Sequence, residues 1–167
     1  MTTPRINGRA VFFALASMVS VATAAVGVAE GKLRIAATTT MVSDLAESVA
    51  GDHAIVTGLM GPGVDPHLYK ATASDINTLQ SADLILYNVL HLEGRLADLL
   101  VKLGRRGKPV YAVTESLSEA KLLEPEEFQG HYDPHVWFDP RLWALCVETV
   151  VEAVSYTHLT LPTSDLV

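Results

Sequence analysis

Two copies of one triplet, Asp65-Pro66-His67 and Asp133-Pro134-His135, are where the types and spacing of residues in this sequence suit chemistry. Proline fixes its own φ and pushes the residue before it into an extended conformation, so each triplet holds its histidine in a set direction. Imidazole is the commonest protein ligand for transition metals, and two such rings on separate loops can converge on one ion. Glycine and aromatic residues punctuate both copies: Gly61-Pro62-Gly63-Val64 and Leu68-Tyr69 around the first, His131-Tyr132 and Val136-Trp137-Phe138-Asp139-Pro140 around the second. A histidine that merely caps a turn is the ordinary reading of one such triplet. The repeat is what raises His67 and His135 to candidate metal ligands.

The elements that would position them alternate between strand and helix. Leu33 to Thr38 reads as a short strand, partly β-branched and bounded by turn residues. Met41 to Val49 has apolar residues at helical spacing, and Ala54 to Met60 is a second strand leading directly into the first Asp-Pro-His loop. Ser74-Asp75 is set to cap a helix over Ile76 to Gln80, followed by a buried strand at Leu84 to Tyr87. Arg95 to Leu103 then carries Leu96, Leu99, Leu100 and Leu103 on one face. A fourth strand follows at Lys108 to Val113, and Thr114-Glu115 is set to cap a short helix. The second loop precedes a helix from Pro140 to about Val154. This order predicts an α/β fold, a four-stranded mostly parallel sheet flanked by helices, with ligands bound in loops at the carboxyl ends of the strands.

The two ends of the chain read differently. Arg5 and Arg9 precede an apolar run from Ala10 to Val28, with Ala22-Thr23-Ala24 or Gly27-Val28-Ala29 as a cleavage site. That layout predicts a cleaved signal peptide over residues 1–29 and export to a periplasm. No cysteine lies near the cleavage site to take a lipid. At the other end, Ser155-Tyr156-Thr157-His158-Leu159-Thr160-Leu161-Pro162 breaks the helical pattern with β-branched residues and a proline. Residues 155–167 resemble a translated sequencing adapter and are expected to be non-native, so His158 is not counted as a ligand.

Composition narrows the partners. Residues 1–29 hold two of the twelve Lys+Arg and none of the nineteen Asp+Glu, which leaves the exported part at a net charge of −9. So acidic a surface argues against nucleic acid and anionic membranes and favours cations. The single cysteine, Cys146, sits in an apolar helical pattern and is expected to be a packed thiol. About 125 exported residues before Ser155 suffice for one domain with a real core.

With these residues laid out, the chain resembles the periplasmic solute-binding proteins of zinc and manganese ABC importers, the TroA-like metal-binding family. The stretches that carry the resemblance are Gly63 to Tyr69 with Thr72 to Asp75, Ala82 to Asn88, His91-Leu92-Glu93-Gly94, and Asp133 to Asp139; with their flanks they cover Lys32 to Val154. The resemblance implies a monomeric two-lobed receptor with a long linking helix, holding Zn2+ or Mn2+ between the lobes and delivering it to an inner-membrane ABC permease. It assigns His67 and His135 as the metal ligands of the first lobe, with a His or Glu and a carboxylate expected from a second lobe. On this reading residues 30–139 are the N-terminal metal-binding lobe and 140–154 the start of the inter-lobe helix. Asp65 and Asp133 are expected to orient their loops, and Asp139 to accept a histidine N–H. Leu122 to Gly130 departs from the long histidine-rich loop of zinc-specific relatives, having glutamates and no histidine. Asn88 and Glu93 beside His91 read as turn and cap chemistry, His131 as a loop residue and His53 as solvent-facing.

Three other readings compete. A zinc hydrolase would need a base beside the metal and an open coordination position, and no H-E-x-x-H is present. A phosphate cradle at Gly61-Pro62-Gly63 lacks the following Lys-Ser/Thr and would face the Asp65 carboxylate. A metal-binding adhesin is a third, which nothing in the sequence tests.

Overall fold

Every strand of the sheet is parallel to its neighbours: Ala54–Gly58 pairs with Leu33–Ala37, Leu33–Ala37 with Leu84–Tyr87, and Leu84–Tyr87 with Val110–Ala112. The computed structural model describes residues 31–160, with side chains up to residue 157. The expected signal peptide and the last seven residues lie outside the described part. The strands are β1 (Leu33–Ala37), β2 (Ala54–Gly58), β3 (Leu84–Tyr87) and β4 (Val110–Ala112). The helices are α1 (Thr40–Ala50), α2 (Ala73–Ser81), α3 (Leu96–Arg105) and α4 (Pro140–Thr160). The α/β expectation therefore holds, with all pairings parallel.

Alternation along the central strands explains why the sheet is covered on both faces. Leu33, Ile35 and Ala37 of β1 and Leu84 and Leu86 of β3 point into one cluster with Val42, Leu45 and Ala46 of α1 and Cys146, Val150 and Ala153 of α4. Ala36 and Ile85 point the other way, into a cluster with Leu79 of α2 and Leu96 and Leu100 of α3. Successive strand side chains face opposite sides, so continuous apolar runs suit strands buried on both faces. Cys146 is fully buried, as expected of a core thiol, and burial raises its pKa to about 11. Such a thiol is inert at neutral pH.

Three local expectations are corrected. The cap of α2 is Thr72 rather than Ser74-Asp75: its hydroxyl accepts the Asp75 N–H while the Asp75 carboxylate accepts the Thr72 N–H, a reciprocal capping box. Thr114 caps no α-helix, because its hydroxyl donates to the Asn88 carbonyl and the chain turns from Val113 to Leu117. Ser155 does not interrupt the last helix. α4 continues to Thr160, and the buried Thr157 hydroxyl donates to the Ala153 carbonyl at 2.7 Å. A hydroxyl bonded back to residue i−4 lets β-branched Thr sit in a helix, and the proline lies beyond at position 162.

The strand order fixes where a ligand site belongs. β1 connects through α1 to β2 on one side, whereas β3 lies on the other side of β1, so the connections diverge between β1 and β3. Open α/β sheets bind ligands in the crevice outside the carboxyl ends of the strands at such a point. Here those ends lead into Thr38–Thr40 after β1 and Asn88–Gly94 after β3.

Candidate metal centre

Both Asp-Pro-His triplets fold into the same local turn. Asp65 Oδ1 accepts the His67 backbone N–H at 2.9 Å, and Asp133 Oδ1 accepts that of His135 at 2.9 Å. An aspartate that takes the N–H two residues on makes an Asx turn, and the intervening proline, with no N–H of its own, cannot compete. The expectation that Asp65 and Asp133 orient their loops is thus met by one geometry used twice.

The two turns bring the histidines together. The His67 and His135 ring centroids lie 5.6 Å apart with their planes at 60°. With zinc about 2.0–2.1 Å from each nitrogen, each centroid stands roughly 3.2 Å from the ion, and ligands at a tetrahedral angle have centroids about 5.2 Å apart. The observed spacing is within a few tenths of an ångström of that value. His67 is exposed and the His135 side chain is 30% exposed, so an incoming ion reaches both.

Asp133 also sets the chemistry of its histidine. Its Oδ1 is 2.6 Å from His135 Nδ1. A carboxylate there holds the proton on Nδ1 and leaves the Nε2 lone pair free for a metal. Trp137 stands edge-on to the His135 ring at 5.2 Å and Phe138 stacks on it at 6.4 Å, which limits the ring's rotation. Asp139 does not take the expected role. Its carboxylate accepts the Arg141 backbone N–H at 2.9 Å and pairs with the Arg141 guanidinium, the chemistry of a helix start. The Arg141 side chain holds the Asp139 carboxyl below its usual range.

Beneath the histidines lies a shelf that sequence reasoning saw only in part. Val89, Leu90 and His91 have φ of 75°, 52° and 64°, three successive non-glycine residues in the left-handed region. Each such residue costs about 1–3 kcal/mol and persists only where its surroundings dictate it. The fully buried Glu93 supplies that constraint. Its Oε1 accepts the Asn88 N–H at 2.5 Å and the Thr38 hydroxyl at 2.8 Å, and its Oε2 accepts the Val89 N–H at 3.1 Å. Turn chemistry is therefore right for Glu93, but the carboxylate also bridges the ends of β1 and β3. Burial pushes its pKa up, against the opposing pull of these donors.

The shelf touches both histidine loops. Asn88 Nδ2 donates to the Pro134 carbonyl at 3.1 Å, one residue before His135. Gly94, at φ 46°, lies against His67: a Cβ there would sit 2.6 Å from the His67 carbonyl oxygen. Only glycine fits so close an approach at positive φ. Among the described residues no group of three or more His, Cys, Asp or Glu gathers as a metal cluster, so the site consists of two imidazoles. His53 is exposed at a turn and His131 sits in a loop, as expected.

Comparison with known proteins shows the family and the fold. Residues 35–158 match the family described as zinc-uptake complex component A, periplasmic. The chain is 44% identical over 142 residues to the manganese-binding lipoprotein MntA of Bacillus subtilis, covering 84% of this chain and 46% of that protein. It is 45% identical over 126 residues to the zinc-binding protein TroA of Treponema pallidum, covering 75% of this chain and 40% of that protein. The solved structure of the periplasmic zinc-binding protein TroA from Treponema pallidum superposes with a TM-score of 0.67 at 39% identity, over 77% of this chain and 50% of that one. The chain thus spans about half the length or less of these relatives. On sequence and fold alike, it belongs to the family of periplasmic zinc-uptake components.

Proposed function

We propose that this chain is the N-terminal, metal-binding lobe of an extracytoplasmic receptor that binds zinc or manganese and delivers it to an inner-membrane ABC permease. The observation that carries the reading is the convergence of His67 and His135 from two identically built Asx turns at a 5.6 Å ring spacing. The relatives' names support it: a manganese-binding lipoprotein and a zinc-binding protein share its sequence at 44% and 45% identity. The net acidity of the chain favours a cation, and the crevice between β1 and β3 is where such a fold binds its ligand. The receptor reading includes export through a cleaved leader over residues 1–29, a monomeric state and no catalytic turnover.

Two imidazoles are part of a site, since zinc takes about four ligands. The remaining two, a His or Glu and a carboxylate, belong on this reading to a second lobe reached through α4. Sequencing the locus past the codon for Val154 tests this and the adapter-like reading of residues 155–167 together. The expected result is a frame that continues into a second α/β lobe carrying those ligands. Zinc and manganese titrations of that product then name the ion, and His67→Ala should abolish tight binding. Affinity unchanged by His67→Ala would overturn the assignment.

A further inference from the structure

A second pair of histidines comes from the shelf after β3 and from the loop that carries His135. His91, on the left-handed shelf, and His131, four residues before His135, have ring centroids 4.4 Å apart with planes at 53°. Both residues are exposed, and they line a cleft of about 430 Å³ with Leu90, Gly94, Gly130 and Tyr132. His91 is the last of the three left-handed residues, so the backbone strain fixed by Glu93 is also what presents this ring to its partner. Strain of that kind is maintained only where the fold dictates it, and it clusters at ligand sites.

The spacing differs from that of the first pair in a way that has chemical meaning. Two imidazoles on one ion have centroids about 5.2 Å apart at a tetrahedral angle but about 4.5 Å apart at a right angle. The 4.4 Å of His91 and His131 matches the right angle, which belongs to square-planar and octahedral ions rather than to tetrahedral zinc. The surroundings favour a cation. Glu124 Oε1 would be 3.8 Å from a Cβ on Gly130, the neighbour of His131. Copper(II) and nickel(II) combine the preference for imidazole with the right-angled geometry.

We propose that His91 and His131 form a second, shallow binding site for a square-planar or octahedral divalent transition-metal ion, completed by water and separate from His67 and His135. The site stands whether or not His67 and His135 are the transport ligands. Its test is a nickel(II) calorimetric titration of the full chain carrying His67→Ala and His135→Ala, which removes the first pair. About one equivalent should bind, and adding either His91→Asn or His131→Gln should weaken it at least about tenfold, the scale of losing a supporting partner at a metal site. Asparagine is chosen at position 91 because it tolerates the left-handed backbone, so folding, checked by circular dichroism, is preserved. Failure of the double variant to bind nickel, or loss on only one of the two further substitutions, would overturn the paired site.

Discussion

One oxygen of Asp133 holds His135 at two points, accepting its backbone N–H at 2.9 Å and lying 2.6 Å from its ring Nδ1. Asp65 takes the backbone N–H of His67 in the same way, at 2.9 Å. The two aspartates are therefore unequal: one orients a loop, while the other orients a loop, a ring and a tautomer. Supporting groups of the second kind are worth about 10–100-fold in metal affinity. Asp133→Ala should weaken zinc binding by that factor and Asp65→Ala by distinctly less, in competition titrations against a chromophoric chelator. Equal losses would mean that the ring contact of Asp133 does nothing for the metal.

Gly94 makes a second test of how the histidines are held. Its φ of 46° and the 2.6 Å approach to the His67 carbonyl leave no room for a methyl group. Gly94→Ala combines a left-handed alanine, about 1–2 kcal/mol, with an overlap against backbone that cannot swing aside. The variant should unfold at lower urea and bind zinc more weakly, because relief of the overlap displaces His67. Weakened stability with unchanged affinity would separate the shelf from the site.

How far the sequence reveals this arrangement depends on which interactions are local. The burial of Leu33–Ala37 and Leu84–Tyr87 on both faces of the sheet is written into their apolar runs, and so is the helical face of Leu96 and Leu100. The Asx turns of Asp65 and Asp133 are also local, since donor and acceptor are two residues apart. By contrast, the bond from Thr38 to Glu93 spans 55 residues and that from Asn88 to Pro134 spans 46. Nothing in Asn88-Val89-Leu90-His91 announces three left-handed residues, because the force holding them comes from a carboxylate whose burial is a tertiary fact. A glutamate between Leu92 and Gly94, with Leu96 beyond, is the one local trace of it. Asp139 misled for the opposite reason. Its aromatic neighbours point to the histidines, yet the nearest cation, two residues on, captures it.

Glu93 predicts a pH dependence. Burial raises its folded pKa above the unfolded value of 4.5. Between the two values the folded state binds more protons than the unfolded one, so stability from this group falls as pH rises through that window. Asp75 and Asp83, whose pKa values are lowered, contribute with the opposite sign below 3.8, so the group must be isolated by difference. Glu93→Gln, measured against the parent by thermal melting, should gain relative stability as pH climbs above the ordinary carboxylate range. A difference flat with pH would show that Glu93 is charged at no net expense.

Tyr69 anchors the far end of the first histidine loop. Its hydroxyl donates to Asp75 Oδ2 at 2.7 Å and lies 3.2 Å from the Leu59 carbonyl, while the same Asp75 oxygen accepts the Thr72 N–H at 2.6 Å. The bond ties the residue two positions after His67 to the capping box of α2, so the loop is fixed between that box and the Asx turn. Tyr69→Phe keeps the ring and removes only the hydroxyl, which should lower unfolding free energy by about 1 kcal/mol in urea at neutral pH. Burial, then Asp75, pushes the phenol from 10.0 up to about 12. A raised folded pKa means that the contribution is intact below the unfolded value and disappears as pH rises through the folded one. The gap between parent and variant should therefore be constant from neutral pH up to 10.0 and close toward pH 12. A gap that persists unchanged to that pH would show that the phenol proton does not hold the loop.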